Sequence, residues 1–139
     1  MPNFRGVRRE VYSGRVRLNG EEHEQSLVAA NNYVDSLRHL KRFKEAQSLM
    51  RKVMPISRRH LGESNHLTLS LMNNYATSLY EDPSATLDDL SEAVNTLEET
   101  ERTARRVLGG AHPLTLLTEE GLRRSRAVLR YREASSGTG

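Results

Sequence analysis

The stretch LGGAHPLTL, Leu108 to Leu116, combines a Gly turn, a His-Pro pair and a Thr between leucines. Two other stretches answer it: LGESNHLTL, Leu61 to Leu69, and NGEEHEQSL, Asn19 to Leu27. Aligned, they share Gly at the second place (Gly20, Gly62, Gly109) and Leu at the ninth (Leu27, Leu69, Leu116). A hydroxyl stands at the eighth place in each (Ser26, Thr68, Thr115). The starts lie 42 and then 47 residues apart. Recurrence at such a period marks an array of structural repeats.

Outward from each stretch runs an amphipathic helix. Leu27, Ala30, Val34 and Leu37 form one stripe of a 3.6-residue period, and Leu69, Met72, Ala76 and Leu79 form another at the same intervals. Both helices carry NNY, at Asn31 to Tyr33 and Asn73 to Tyr75. These are termed A helices. A polar turn, HLKRF in the first repeat, leads to a second helix with Ala46, Leu49, Met50 and Val53 on one face. Leu90, Ala93, Val94 and Leu97 answer them one repeat later. These are B helices. The small residues Ala46 and Ala93 hold the same place, where they let antiparallel helices approach closely.

The second repeat carries about five extra residues around YEDPSATLDD. Asp82-Pro83 predicts the end of its A helix, because Pro lacks the amide hydrogen a helix interior needs. Thr86 or Ser91 then caps the B helix. Pro55 predicts a kink in the first B helix. Leu-Gly closes a B helix, since Gly accepts a positive φ, and His-Pro opens an A helix. The recurring hydroxyl sits in the opening turn, where it can bond locally. The opening stretch therefore reads as helix punctuation.

Composition agrees. The chain has 139 residues, 36% of them apolar, with no Trp and two Phe. That is a thin supply for one thick core, but it suits an array whose units pack only on neighbours. The absence of Cys excludes disulfides and thiolate metal sites. No apolar run approaches the roughly 18–20 residues of a membrane span. The start, MPNFRGVRREVYSGR, has no apolar core and does not read as a secretory signal; a cytoplasmic location is the default expectation. The formal charge of +3 is mild.

As a set, LGxxHPxTL at Leu108 to Leu116, NNYA at Asn73 to Ala76 and RFKEA at Arg42 to Ala46 resemble the tetratricopeptide (TPR) repeats of kinesin light chains. The resemblance covers about residues 7 to 134. It implies an all-α, right-handed α-solenoid of antiparallel helix pairs. The expected parts are a partial B helix at 7–18, repeats at 19–60 and 61–107, a divergent or capping repeat at 108–134, and a disordered tail at 135–139. Val7 and Val11 fall on Leu49 and Val53 after a 42-residue shift, so the chain is expected to begin inside one repeat and end inside another. Asn65 stands where the family has His, and Glu24 and His66 where it has Pro. In the third repeat the stripe becomes Glu119, Arg123 and Arg126, and the Asn position becomes Glu120. That helix cannot bury the same face. It reads as one continuous helix from about Pro113 to Glu133, closing the array.

The resemblance further implies a non-catalytic module whose A helices line a peptide-binding groove. An Asn amide both donates and accepts, so it can hold an extended backbone without reading side chains. Asn31 and Asn73 take this role, with Arg38 and Tyr80 flanking the groove; Tyr33 and Tyr75 are assigned to packing between helices. Arg123, Arg124, Arg126 and Arg130 form a candidate patch for an anionic partner, with Arg132 nearby. No cofactor or metal is expected: His23 and His112 read as helix caps, LGGAH lacks the Lys-Ser/Thr of a phosphate loop, and no Ser/His/Asp set has a strand context. The competing roles are a scaffold fragment that self-associates through uncovered array ends, a basic RNA-binding repeat, and, last, an enzyme.

Overall fold

The computed structural model describes residues 4–21 and 23–137, and these form six α-helices with no strand. They are α1 (Phe4–Asn19), α2 (Glu24–His39), α3 (Phe43–Leu61), α4 (His66–Tyr80), α5 (Leu87–Leu108) and α6 (Pro113–Gly137). The all-α expectation holds. No helix among the described residues is long and apolar enough to cross a membrane.

The punctuation works at atomic level. Gly62 and Gly109 end α3 and α5 at φ 92, with ψ near extended values. That corner of backbone space belongs essentially to Gly. His23 Nδ1 accepts from the Gln25 amide at 3.1 Å, and His112 Nδ1 accepts from Leu114 at 3.0 Å. Asn65 takes over this task for α4, its Oδ1 accepting from Leu67 at 2.8 Å. Asn therefore replaces His without loss of the cap. Thr86, not Ser91, caps α5, in a reciprocal pair with Asp89. Pro55 lies on an exposed position, and α3 runs through it as one helix.

Each helix packs on its sequence neighbour. In addition α2 packs on α4, and α4 on α6. The backbones of α3 and α5 do not come together. Both A stripes are buried, as are Ala46, Met50 and Val53 of α3 and Leu90, Ala93, Val94 and Leu97 of α5. Val7 and Val11 of α1 are exposed, unlike Val53. The reason is neighbour number: α3 has a helix on each side, whereas α1 packs on α2 alone.

The expected disordered tail needs correction. Helix α6 continues to Gly137, so residues 135–137 are helical, and 138–139 lie outside the described residues. The helix does turn over as its sequence demands. Leu116, Glu119, Arg123 and Arg126 are exposed, and α6 instead buries Leu114, Thr115, Thr118, Leu122 and Ser125.

The extra residues between α4 and α5 have a packing role. Asp82 is buried and accepts from Ser84 N (2.9 Å), Ser84 Oγ (2.8 Å) and Gln47 Nε2 (3.1 Å), with Lys44 Nζ at 3.2 Å. Arg132 closes the loop from the other side, donating to the carbonyls of Pro83 and Ala85. Burial pushes the Asp82 pKa up, but the bonds from Ser84, Lys44 and Gln47 outweigh it and hold the carboxyl below its ordinary value. A depressed carboxyl stabilises the fold above the unfolded pKa, and that contribution is lost as pH falls through the folded one. Asp82→Asn should therefore lower the melting temperature at neutral pH, with the gap to wild type closing below about pH 4. A gap that does not change with pH would remove this role.

The recurring hydroxyl is buried at all three positions, yet among the described residues it is bonded at only two. Ser26 Oγ donates to the Gly20 carbonyl at 2.7 Å, and Thr68 Oγ1 meets Ser57 Oγ at 2.6 Å. Thr115 Oγ1 has no partner among the described residues. A shift of 47 residues carries Ser57 onto Ala104, which has nothing to offer. A buried hydroxyl without a partner costs roughly 1–3 kcal/mol. Thr115→Val should accordingly raise stability by about 1 kcal/mol, read from the urea midpoint; a lower midpoint would show that the hydroxyl is satisfied.

Candidate functional site

Packing of α2 on α4 and α4 on α6 opens a cleft of about 330 Å³ between the three helices. Helix α2 contributes Asp35 and Arg38. Helix α4 contributes Asn73, Thr77 and Tyr80, with Glu81 just past its end. Helix α6 contributes Leu117, Glu120, Gly121 and Arg124.

Its charges are largely paired internally. Arg38 reaches Glu81 Oε1 at 3.0 Å and Asp35 Oδ1 at 3.1 Å. Arg124 Nε donates to Glu120 Oε1 at 3.0 Å, and Arg123 bonds the other Glu120 oxygen. Tyr80 stays protonated beyond its ordinary range, chiefly because burial disfavours the phenolate and secondarily because Glu81 is near. A charged ligand must compete with existing ion pairs here. Of the neutral groups, the Tyr80 hydroxyl already interacts with Thr77 and Arg124, whereas Asn73 Oδ1 has no partner among the described residues.

The two asparagines equated by sequence have different surroundings. Asn31 Nδ2 donates to Ser70 Oγ at 3.2 Å, and Asn31 Oδ1 accepts from Asn74 Nδ2 at 2.6 Å. Both ends of its amide clasp α4. Asn73 is 5% exposed, and its Oδ1 has no partner among the described residues. Shifted by 47 residues, Ser70 and Asn74 become Leu117 and Gly121, neither with a hydrogen-bonding side chain. A Cβ on Gly121 would lie 3.7 Å from Asn73 Oδ1, so the two positions do face each other. Asn31→Ala should cost about 1 kcal/mol by orphaning Ser70 and Asn74, whereas Asn73→Ala should be neutral or slightly stabilising. Equal losses in thermal unfolding would mean that the two junctions are alike after all.

The arginines divide. Arg124 turns to the cleft. Arg123, Arg126 and Arg130 line a separate depression of about 300 Å³ with Glu119 and Leu122, where Arg126 pairs with Glu98 of α5 at 3.2 Å. Tyr33 packs beside Tyr12 with ring centroids 6.5 Å apart. Tyr75 is buried at the centre of the fold.

No family model matches the chain, and no curated protein matches it.

Sequence reasoning named Arg38, Asn73 and Tyr80, which share the cleft, and Asn31, which borders it through Asn74. It passed over Asp35, Thr77, Leu117 and Gly121. The repeat spacing equates Leu117 with Ser70 and Gly121 with Asn74, but that Gly121 faces Asn73 comes only from the fold.

Proposed function

We propose that the chain is a non-catalytic helical-repeat module, a right-handed α-solenoid of the tetratricopeptide type, which holds an extended peptide segment of a partner protein between α2, α4 and α6. The observation that carries this reading is the contact of α2 with α4 and of α4 with α6, which brings Arg38, Asn73 and Tyr80 to one open cleft. Alternate helices lining one face is the geometry of a stacked repeat array. Paired ions with a few neutral hydrogen-bonding groups suit a peptide backbone better than a strongly charged ligand.

Panning a displayed library of random peptides, about twelve residues long, tests the reading. Leu117 lines the rim and is exposed, so Leu117→Arg should block the cleft without unfolding the chain. Enriched peptides should lose at least about tenfold in affinity for this variant, and nothing for Arg59→Glu on exposed α3 surface. Peptides that bind Leu117→Arg as tightly as wild type, or no enrichment, would overturn it.

One observation favours a second reading, self-association through the N-terminal face. Val11 and Val28 are 47% and 42% exposed and line a cleft of about 490 Å³ between α1 and α2. A second copy covering it would be released by Val11→Asp with Val28→Asp. Sedimentation showing a monomer for the wild-type chain would exclude this reading.

A further inference from the structure

We infer that two copies of this chain pair through the α1–α2 face about a two-fold axis, with Val11 at the axis and Glu24 of each protomer facing Arg8 of its partner. The inference rests on the self-association reading above, and it names the occupant of that face, the symmetry and the contacts.

The face has three zones. Arg15 Nη1 donates to Gln25 Oε1 at 2.9 Å, and Arg8 Nη1 donates to the Asn32 carbonyl at 2.8 Å, so α1 and α2 run antiparallel. Arg15 and Glu24 mark one end. Arg8 and Asp35, 3.7 Å apart, mark the other. Val11 and Val28 lie between. Val7, 56% exposed, extends the apolar zone one turn along α1. Among the described residues Glu24 has no ion-pair partner, and Arg15 has only the neutral Gln25 amide.

The chain itself shows what such a face accepts. A shift of 42 residues carries Val11, Val28 and Asn32 onto Val53, Ser70 and Asn74. Val53 is buried, and Ser70 and Asn74 bond Asn31 of α2. The cleft of about 490 Å³ thus stands where a helix sits one repeat later. A second copy can supply that helix from α1, whose Val7, Val11 and Leu18 form an uncovered apolar stripe. It cannot supply α6 as well. A head-to-tail contact would bring Arg123 and Arg126 of α6 to a face edged by Arg8 and Arg15, and like charges brought together oppose association.

A two-fold axis through the middle zone exchanges the two ends. Val11 then meets Val11, Glu24 comes to Arg8, and Arg15 comes to Asp35. Opposite charges meet at both ends, and each pairing is made twice. The result is an apolar centre within a polar rim, the usual anatomy of a closed contact.

Sedimentation of the intact chain at about 100 µM should show a dimer, and Glu24→Gln should weaken it about tenfold. The chain has no Cys, so Val11→Cys places a single thiol at the axis. Mild oxidation should link this variant into a covalent dimer, whereas Val107→Cys on exposed α5 surface should stay unlinked, because a disulfide needs its two Cα atoms close together. Suppose instead that Val11→Asp with Val28→Asp dissociates the dimer, yet Val11→Cys does not link or Glu24→Gln changes nothing. The face is then used without this two-fold pairing, and the inference alone is overturned. A wild-type monomer overturns the inference and the self-association reading together, leaving the face to a partner of another kind. A dimer indifferent to Val11→Asp with Val28→Asp also overturns both, since this face is then not the contact.

Discussion

Tyr75→Ala is expected to lose about 3–5 kcal/mol, the range for removing a fully buried aromatic side chain. The ring is 2% exposed, and its hydroxyl joins three helices. It donates to Glu92 Oε2 of α5 at 2.6 Å and accepts from Arg51 Nε of α3 at 3.2 Å. The Arg51 guanidinium also lies 5.7 Å from the ring centroid. Backbones of α3 and α5 stay apart, so Tyr75 is a principal tie across α4. Burial, reinforced by the Glu92 bond and opposed by Arg51, raises its pKa from 10.0 to about 12. The fold thus holds the neutral phenol. That contribution is full below the unfolded pKa near ten and is lost as pH climbs from there to about 12. Urea unfolding at neutral pH should separate Tyr75→Ala from the milder Tyr75→Phe, which keeps the ring and loses about 1 kcal/mol. Between about pH 10 and 12, wild type should lose more stability than Tyr75→Phe, at roughly 1.4 kcal/mol per pKa unit as an upper bound. Parallel pH curves would show that the phenol is not perturbed.

Overpacking the helix pairs comes next in size. Ala46 and Ala93 are 0% exposed and hold the same place in successive B helices. A Leu at either site adds three heavy atoms where neighbouring helices already touch. Ala93→Leu or Ala46→Leu should lower stability by roughly 1–3 kcal/mol, whereas Ala127→Leu on the exposed side of α6 should change it by less than about 0.5. The contrast matters because Leu is a good helix former. If all three variants behave alike in thermal unfolding, propensity rather than packing governs these positions.

Much of the architecture was legible because it rests on local signals. Periodicity gives the helices, and Gly62, Gly109, His112 and Thr86 bound them through backbone geometry and nearby bonds. The exposed stripe of α6 could also be read, since Glu119, Arg123 and Arg126 are not core residues. The α1 valines misled, because burial depends on how many helices stand alongside and not on the spacing of Val7 and Val11. Residues 135–137 misled for a related reason: small polar residues suggest a tail, yet they extend a helix that Arg132 already anchors to the loop at Pro83 and Ala85.

The candidate site divides along the same line. From sequence alone, Asn31 and Asn73 are equivalent: the same residue, the same NNY, the same helix face. Their difference lies in what stands across the junction, Ser70 and Asn74 in one case and Leu117 and Gly121 in the other. Order along the chain determined six helices, their ends and the all-α class, through forces acting over a few residues. Which amide is clasped and which is left open was decided only when α6 came to rest on α4, because a hydrogen bond needs its partner within about 3 Å, and residues 43 or 48 positions apart meet only in the folded chain.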